Sequence, residues 1–68
     1  MNKIIEITKS TYGDIQKFTF TPLIDGNHVL PCGGVVCYGA EQIARAGEFL
    51  DVELRKVGRT LSEFDFKP

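Results

Sequence analysis

Apolar positions along this chain follow two rhythms, and the change between them separates a strand-forming half from a helix-forming half. From Lys3 to Lys9 (KIIEITK) β-branched residues dominate, with Ile5 and Ile7 on one face and Ile4, Glu6 and Thr8 on the other. From Ile15 to Thr21 (IQKFTFT) the alternation is cleaner, placing Phe18 and Phe20 opposite Lys17, Thr19 and Thr21. Both stretches predict strands. The intervening STYGD, with Ser10, Gly13 and Asp14, predicts the turn of a hairpin. Pro22 has no amide hydrogen, so it is expected to end the second strand or to mark a sheet edge. Asp25-Gly26 is a further turn signal, because both residues readily take positive φ. A short third strand from His28 to Cys32, broken by Pro31, should follow. After Gly33-Gly34, VVCY reads as a fourth strand or as the lead-in to a helix.

From Ala40 to Val57 the rhythm changes. Ile43, Gly47, Leu50, Leu54 and Val57 recur at spacings of four and three, the apolar stripe of an amphipathic helix roughly 27 Å long. Gly39 suits the N-cap and Glu41 the positive end of the helix dipole, while Gln42 can reach back to a cap nitrogen. Arg55 and Lys56 suit the other end, and Gly58 the left-handed closing position. Gly47 within the stripe predicts close approach of the helix backbone to a bulky neighbour, a phenylalanine being the natural candidate. Leu61 and Phe64 continue the spacing, which allows one helix running on to about residue 65. The basic pair before Gly58 favours a break there, with a restart at Thr60 and Glu63 as its capping-box partner. Phe64 and Phe66 alternate with Glu63, Asp65 and Lys67, the pattern of a last edge strand or of an aromatic tail over the core.

The predicted architecture is therefore α+β in the order β-β-β-(β)-α. It is a single domain, 1–68, in which a small antiparallel sheet of three or four strands has one amphipathic helix packed across one face. With 68 residues, 43% of them apolar and 25% charged, the chain has the composition of an ordinary globular domain near the lower size limit. A net charge of −1 supplies no field that would steer it to nucleic acid or an anionic membrane. No apolar run approaches the roughly 20 residues of a membrane span. Two cysteines without a secretory signal point to the cytoplasm and to free thiols.

Five groupings are candidates for function. His28, Cys32 and Cys37 are residue types that bind zinc, but they number three, lack paired C-x-x-C spacing, and would need Asp25 or Glu41 to complete a shell; buried thiols account for the cysteines more simply. The same cysteines with His28 as base and Gly33-Gly34 amides as an oxyanion hole would compose a nucleophilic site, yet so short a chain has little material for a substrate cleft. Gly33 to Glu41 matches no phosphate-binding loop pattern, and Glu41 would repel an anion. Arg55, Lys56 and Arg59, with Tyr12, Phe18 or Phe20 as stacking surfaces, would suit nucleic acid, but Glu41, Glu48, Asp51 and Glu53 share the helix and oppose it.

The fifth grouping is preferred. At 100° per residue, Phe49 and Val52 fall outside the apolar stripe, and Arg45, Phe49, Val52 and Lys56 line one outer ridge. Aromatic and aliphatic groups flanked by long cations suit a protein contact, although single exposed apolar residues are ordinary and Phe49 could instead cover the sheet edge. The sequence thus predicts a small protein-binding module (a regulator, inhibitor or subunit) acting by surface contact. Its partner is a protein, with a homodimer left open. No enzyme activity, cofactor or metal is expected. A nucleic-acid-binding accessory role is the alternative, and a zinc or thiol site the third reading.

Overall fold

Residues 1–67 are described by a computed structural model. Two strands of equal length, β1 (Lys3–Tyr12) and β2 (Ile15–Ile24), form the spine. They pair antiparallel along their whole length, from Lys3↔Ile24 to Tyr12↔Ile15. β1 exceeds its predicted stretch because the turn needs only Gly13 and Asp14, and β2 starts at Ile15 as predicted but runs past Thr21 to Ile24. Gly13 takes φ +64 at the first turn position, where a hairpin of this kind wants glycine. The second turn is as expected: Asp25 (φ 51) and Gly26 (φ 82) both adopt positive φ, and Ile24 pairs with Asn27 of β3 (Asn27–His28). β3 is shorter than the predicted His28–Cys32. Beyond it Gly33 N–H bonds to the Leu30 carbonyl, and the chain turns back.

Pro22 neither ends β2 nor lies at a sheet edge. It is fully buried opposite Ile5. In a hairpin closed by two residues, Tyr12↔Ile15 is a hydrogen-bonded pair and bonding alternates from there, so Pro22 turns its nitrogen away from β1. On that side β3 pairs with residues 23 and 24 of β2, and β4 (Val35–Tyr38) with residues 17 to 20. Pro22 thus occupies the gap between the two pairings, where its carbonyl accepts the Val29 N–H at 3.2 Å and no amide hydrogen of its own is called for. Gly34 lies beside the same gap: a Cβ there would stand 2.8 Å from both the Phe20 carbonyl oxygen and Thr21 Oγ1.

The sheet runs β3-β2-β1-β5, with β4 also on β2, and its last strand, β5 (Asp65–Lys67), lies parallel to β1. The α+β class and the strand-then-helix order are as the sequence predicts. The fifth strand makes the sheet mixed rather than purely antiparallel. The helical segment is likewise divided, into α1 (Gly39–Ala44) and α2 (Ala46–Lys56), which meet at Arg45 (φ −101, ψ 9). No proline or polar cap marks this break, and glycine at position 47 is the only local weakness. Packing decides it, since α2 turns Ala46, Leu50 and Leu54 into the core. Val57, counted in the stripe, lies past the end of α2 and is 38% exposed. The neighbour close to Gly47 is Leu61, not a phenylalanine.

Gly58 does end the helix, with φ +74, and Arg59 N–H reaches the Leu54 carbonyl. The restart is also as expected: Thr60 caps a single 3-10 turn, Leu61–Glu63, through a capping box with Glu63. Glu63 is held by more than its cap. Its carboxylate pairs with Lys3 of β1 and with Arg59, each at 3.0 Å, so one side chain ties the start of the chain to the segment leading into β5. The Thr60 amide first, then Lys3, hold this carboxyl down to about 2. The core comprises Ile5, Phe20, Leu30, Cys37, Ala46, Leu50, Leu54 and Phe64, all gathered under the helices.

Candidate functional site

The cleft that most resembles a binding site lies between α2 and β4. Phe49, Val52 and Glu53 form its helical wall; Val35, Gly34 and Cys32 form the other, enclosing about 280 Å3. The helical wall follows from spacing, because positions three and four apart share a face. The β4 wall follows from register. Val35 pairs with Phe20 and shares its covered face, so its side chain turns toward the helix. The lining is mostly apolar. Its one charged group, Glu53, bonds Lys56 Nζ at 3.0 Å.

Of the predicted ridge, Phe49 and Val52 come together in this cleft. Val52 is 54% exposed, while Phe49 is half-buried against the core. Arg45 stands 5.3 Å above the Phe49 ring, its guanidinium also bonded to Glu48 at 3.0 Å, and so closes one end of the aromatic surface. Lys56 flanks the other end through Glu53. The walls contributed by Cys32, Gly34 and Val35 were absent from the sequence reading. Their one signal is the alternation in VVCY, which puts Val35 and Cys37 on one face and Val36 and Tyr38 on the other.

That other face carries a second apolar patch, also missed. Tyr12, Ile15, Val36 and Tyr38 are all exposed on the side of the sheet without helices, and Tyr12 meets Tyr38 edge to face at 5.9 Å. Of the predicted stacking residues only Tyr12 is available there. Phe18 and Phe20 lie beneath the helices, and Phe20 is buried.

The other groupings do not assemble. Among the described residues no three metal-ligating side chains come together. Cys37 is buried, and burial pushes its thiol up, away from the thiolate a nucleophile needs. Cys32 is exposed, contrary to the expectation that both cysteines are buried, and its thiol lies 3.7 Å from the Gly34 carbonyl. His28 sits against Gly33, beside a separate hollow of about 320 Å3 shared with Val57 and Arg59. The basic cluster is largely neutralised at home: Arg55 pairs with Asp51, Lys56 with Glu53, and Arg59 with Glu63. No helix is long and apolar enough to cross a membrane among the described residues. Comparison with known protein families, curated proteins and solved structures finds no match to this chain.

Proposed function

We propose that this protein binds another polypeptide at the cleft between α2 and β4 and acts by covering a surface, as a regulator, inhibitor or subunit without chemistry of its own. The observation that carries the reading is the opening itself, an apolar hollow walled by a half-buried aromatic, an exposed valine and a strand. Aromatic anchors inside a rim of paired charges are how protein contacts concentrate their energy. Two unpaired thiols, one of them exposed, fit a reducing compartment, and we place the protein in the cytoplasm.

Val52→Glu and Phe49→Ser test the reading by affinity capture from the native host. Val52→Glu should abolish recovery of the partner and leave the melting temperature unchanged, since the residue faces solvent. Phe49→Ser should abolish recovery and also lower stability by about 1–3 kcal/mol, because the ring covers core. A partner retained by both variants refutes the cleft as its site.

A second reading has one observation in its favour. The exposed Tyr12–Tyr38 pair beside Lys17 offers stacking surfaces to a single-stranded nucleic acid. Binding of an oligonucleotide that weakens steeply with salt supports it, and salt-independent or absent binding removes it.

A further inference from the structure

The free edge of β4 tells what kind of polypeptide suits the cleft. Along β2, even-numbered residues turn their amides and carbonyls toward β4 and odd-numbered ones toward β1, a parity set by the two-residue turns at either end. Val35 and Cys37, opposite Phe20 and Phe18, therefore bond inward. Gly34, Val36 and Tyr38 present their backbone groups outward. The Gln42 side chain takes the outward Tyr38 N–H at 2.8 Å, as this parity requires. The N–H and carbonyl of Val36 meet no backbone partner among the described residues, since β4 pairs only with β2. Val36 follows directly on Gly34 and Val35, which line the cleft whose one charged wall residue is Glu53.

We infer that the occupant is an extended segment of a partner protein that adds to β4 as a further strand. It bonds to the Val36 backbone, seats one large apolar side chain between Val35, Phe49 and Val52, and carries a basic residue beside that anchor, facing Glu53. The inference rests on the polypeptide-binding reading above and names the class of partner. An added strand satisfies the edge groups and delivers alternate side chains to the cleft, so that backbone pairing supplies affinity and the pocket supplies specificity. A docked helix fills the hollow but leaves the Val36 groups unpaired. A small molecule in the hollow likewise leaves the Val36 groups without a backbone partner. A second copy of this chain also fits badly. Two-fold pairing about Val36 sets Gly34 against Tyr38, whose N–H Gln42 already holds and whose chain runs straight into α1. The exposed Lys56–Glu53 pair is weak enough for an incoming cation to replace it at little cost.

The test selects a random peptide library on the intact chain and carries the enriched peptides into NMR with isotope-labelled protein. Enriched sequences should share an aromatic or aliphatic anchor flanked by β-branched residues and a lysine or arginine. Bound peptide should slow exchange of the Val36 amide by about tenfold or more, and N-methylation of the peptide amide facing Val36 should weaken binding by roughly tenfold. Val52→Glu should abolish binding while the far-UV spectrum and melting curve stay those of the parent. Peptides that shift Phe49 and Val52 but leave Val36 exchange unchanged overturn strand addition and leave polypeptide binding standing. A selection that yields no peptide sensitive to Val52→Glu overturns both. A dimer in sedimentation, with Val36 protected before any peptide is added, overturns the hetero-partner in favour of a second copy.

Discussion

Replacing Gly34 with alanine probes the approach of the loop before β4 to the spine of the sheet, on which the cleft depends. Gly34 has no positive φ, so alanine there suffers no backbone strain of its own, and the effect isolates contact. The added Cβ meets the Phe20 carbonyl oxygen and Thr21 Oγ1 at 2.8 Å, about 0.6 Å inside the 3.4 Å where ordinary contact begins. The Thr21 hydroxyl can rotate away. The carbonyl cannot, because it belongs to a strand paired on both sides, so β2 or the loop must shift. Overpacking of this kind costs about 1–3 kcal/mol, offset by roughly 0.4–1 kcal/mol from the lower entropy of the unfolded chain. The net cost is about 0–2.6 kcal/mol, so at about 4–8 °C per kcal/mol for a domain of this size the melting temperature should fall by up to about 20 °C, with a urea midpoint lowered in step and an unchanged m-value. Combining the change with Thr21→Ala should recover only a minor part, since the carbonyl clash remains. A single alanine variant that melts above the parent refutes the close approach, and with it the described wall of the cleft.

Two other outcomes can be checked with the same purified protein. Glu63 is held at about 2 against an ordinary 4.5, so its ionised form is the one the fold favours. Its contribution is complete above about pH 4.5 and is lost as the pH falls toward 2. The gap in urea midpoint between parent and Glu63→Gln should therefore be constant near neutrality and close between those values; a gap independent of pH refutes the clamp. Cys32 should react with a thiol reagent in the native state, and Cys37 only on unfolding, because one thiol is exposed and the other buried with its ionisation suppressed. Equal labelling rates would contradict the burial of Cys37.

What the sequence made legible was mostly local. The alternation about Phe18 and Phe20, the Asp25-Gly26 turn, the stop at Gly58 and the capping box of Thr60 with Glu63 each depend on residues a few positions apart, and the structure bears each of them out. Pro22 was misjudged because a missing amide matters only if a neighbour needs it, and the neighbour at that point is a gap between strands set by register. The break at Arg45 has no local signal, since it answers to the core beneath Ala46, Leu50 and Leu54. Half of the cleft was visible for the same reason that half of the fold was. Helical spacing places Phe49 beside Val52, whereas Cys32, Gly34 and Val35 arrive at the site by the folding of another element.

The pairing of β5 with β1 has a consequence for how the chain is made. Ile4 and Asp65 are 61 positions apart, so this contact closes a loop that takes in nearly all of the described residues. The β1–β2 hairpin, joined by two residues, can zip up while synthesis continues, but its covered face stays bare until α2 follows. Completion of this sheet waits for residues 65 to 67 to leave the ribosome and pair beside β1. Growth of the nascent chain thus separates an early, greasy arm from the finished molecule, and shielding is needed most in that interval.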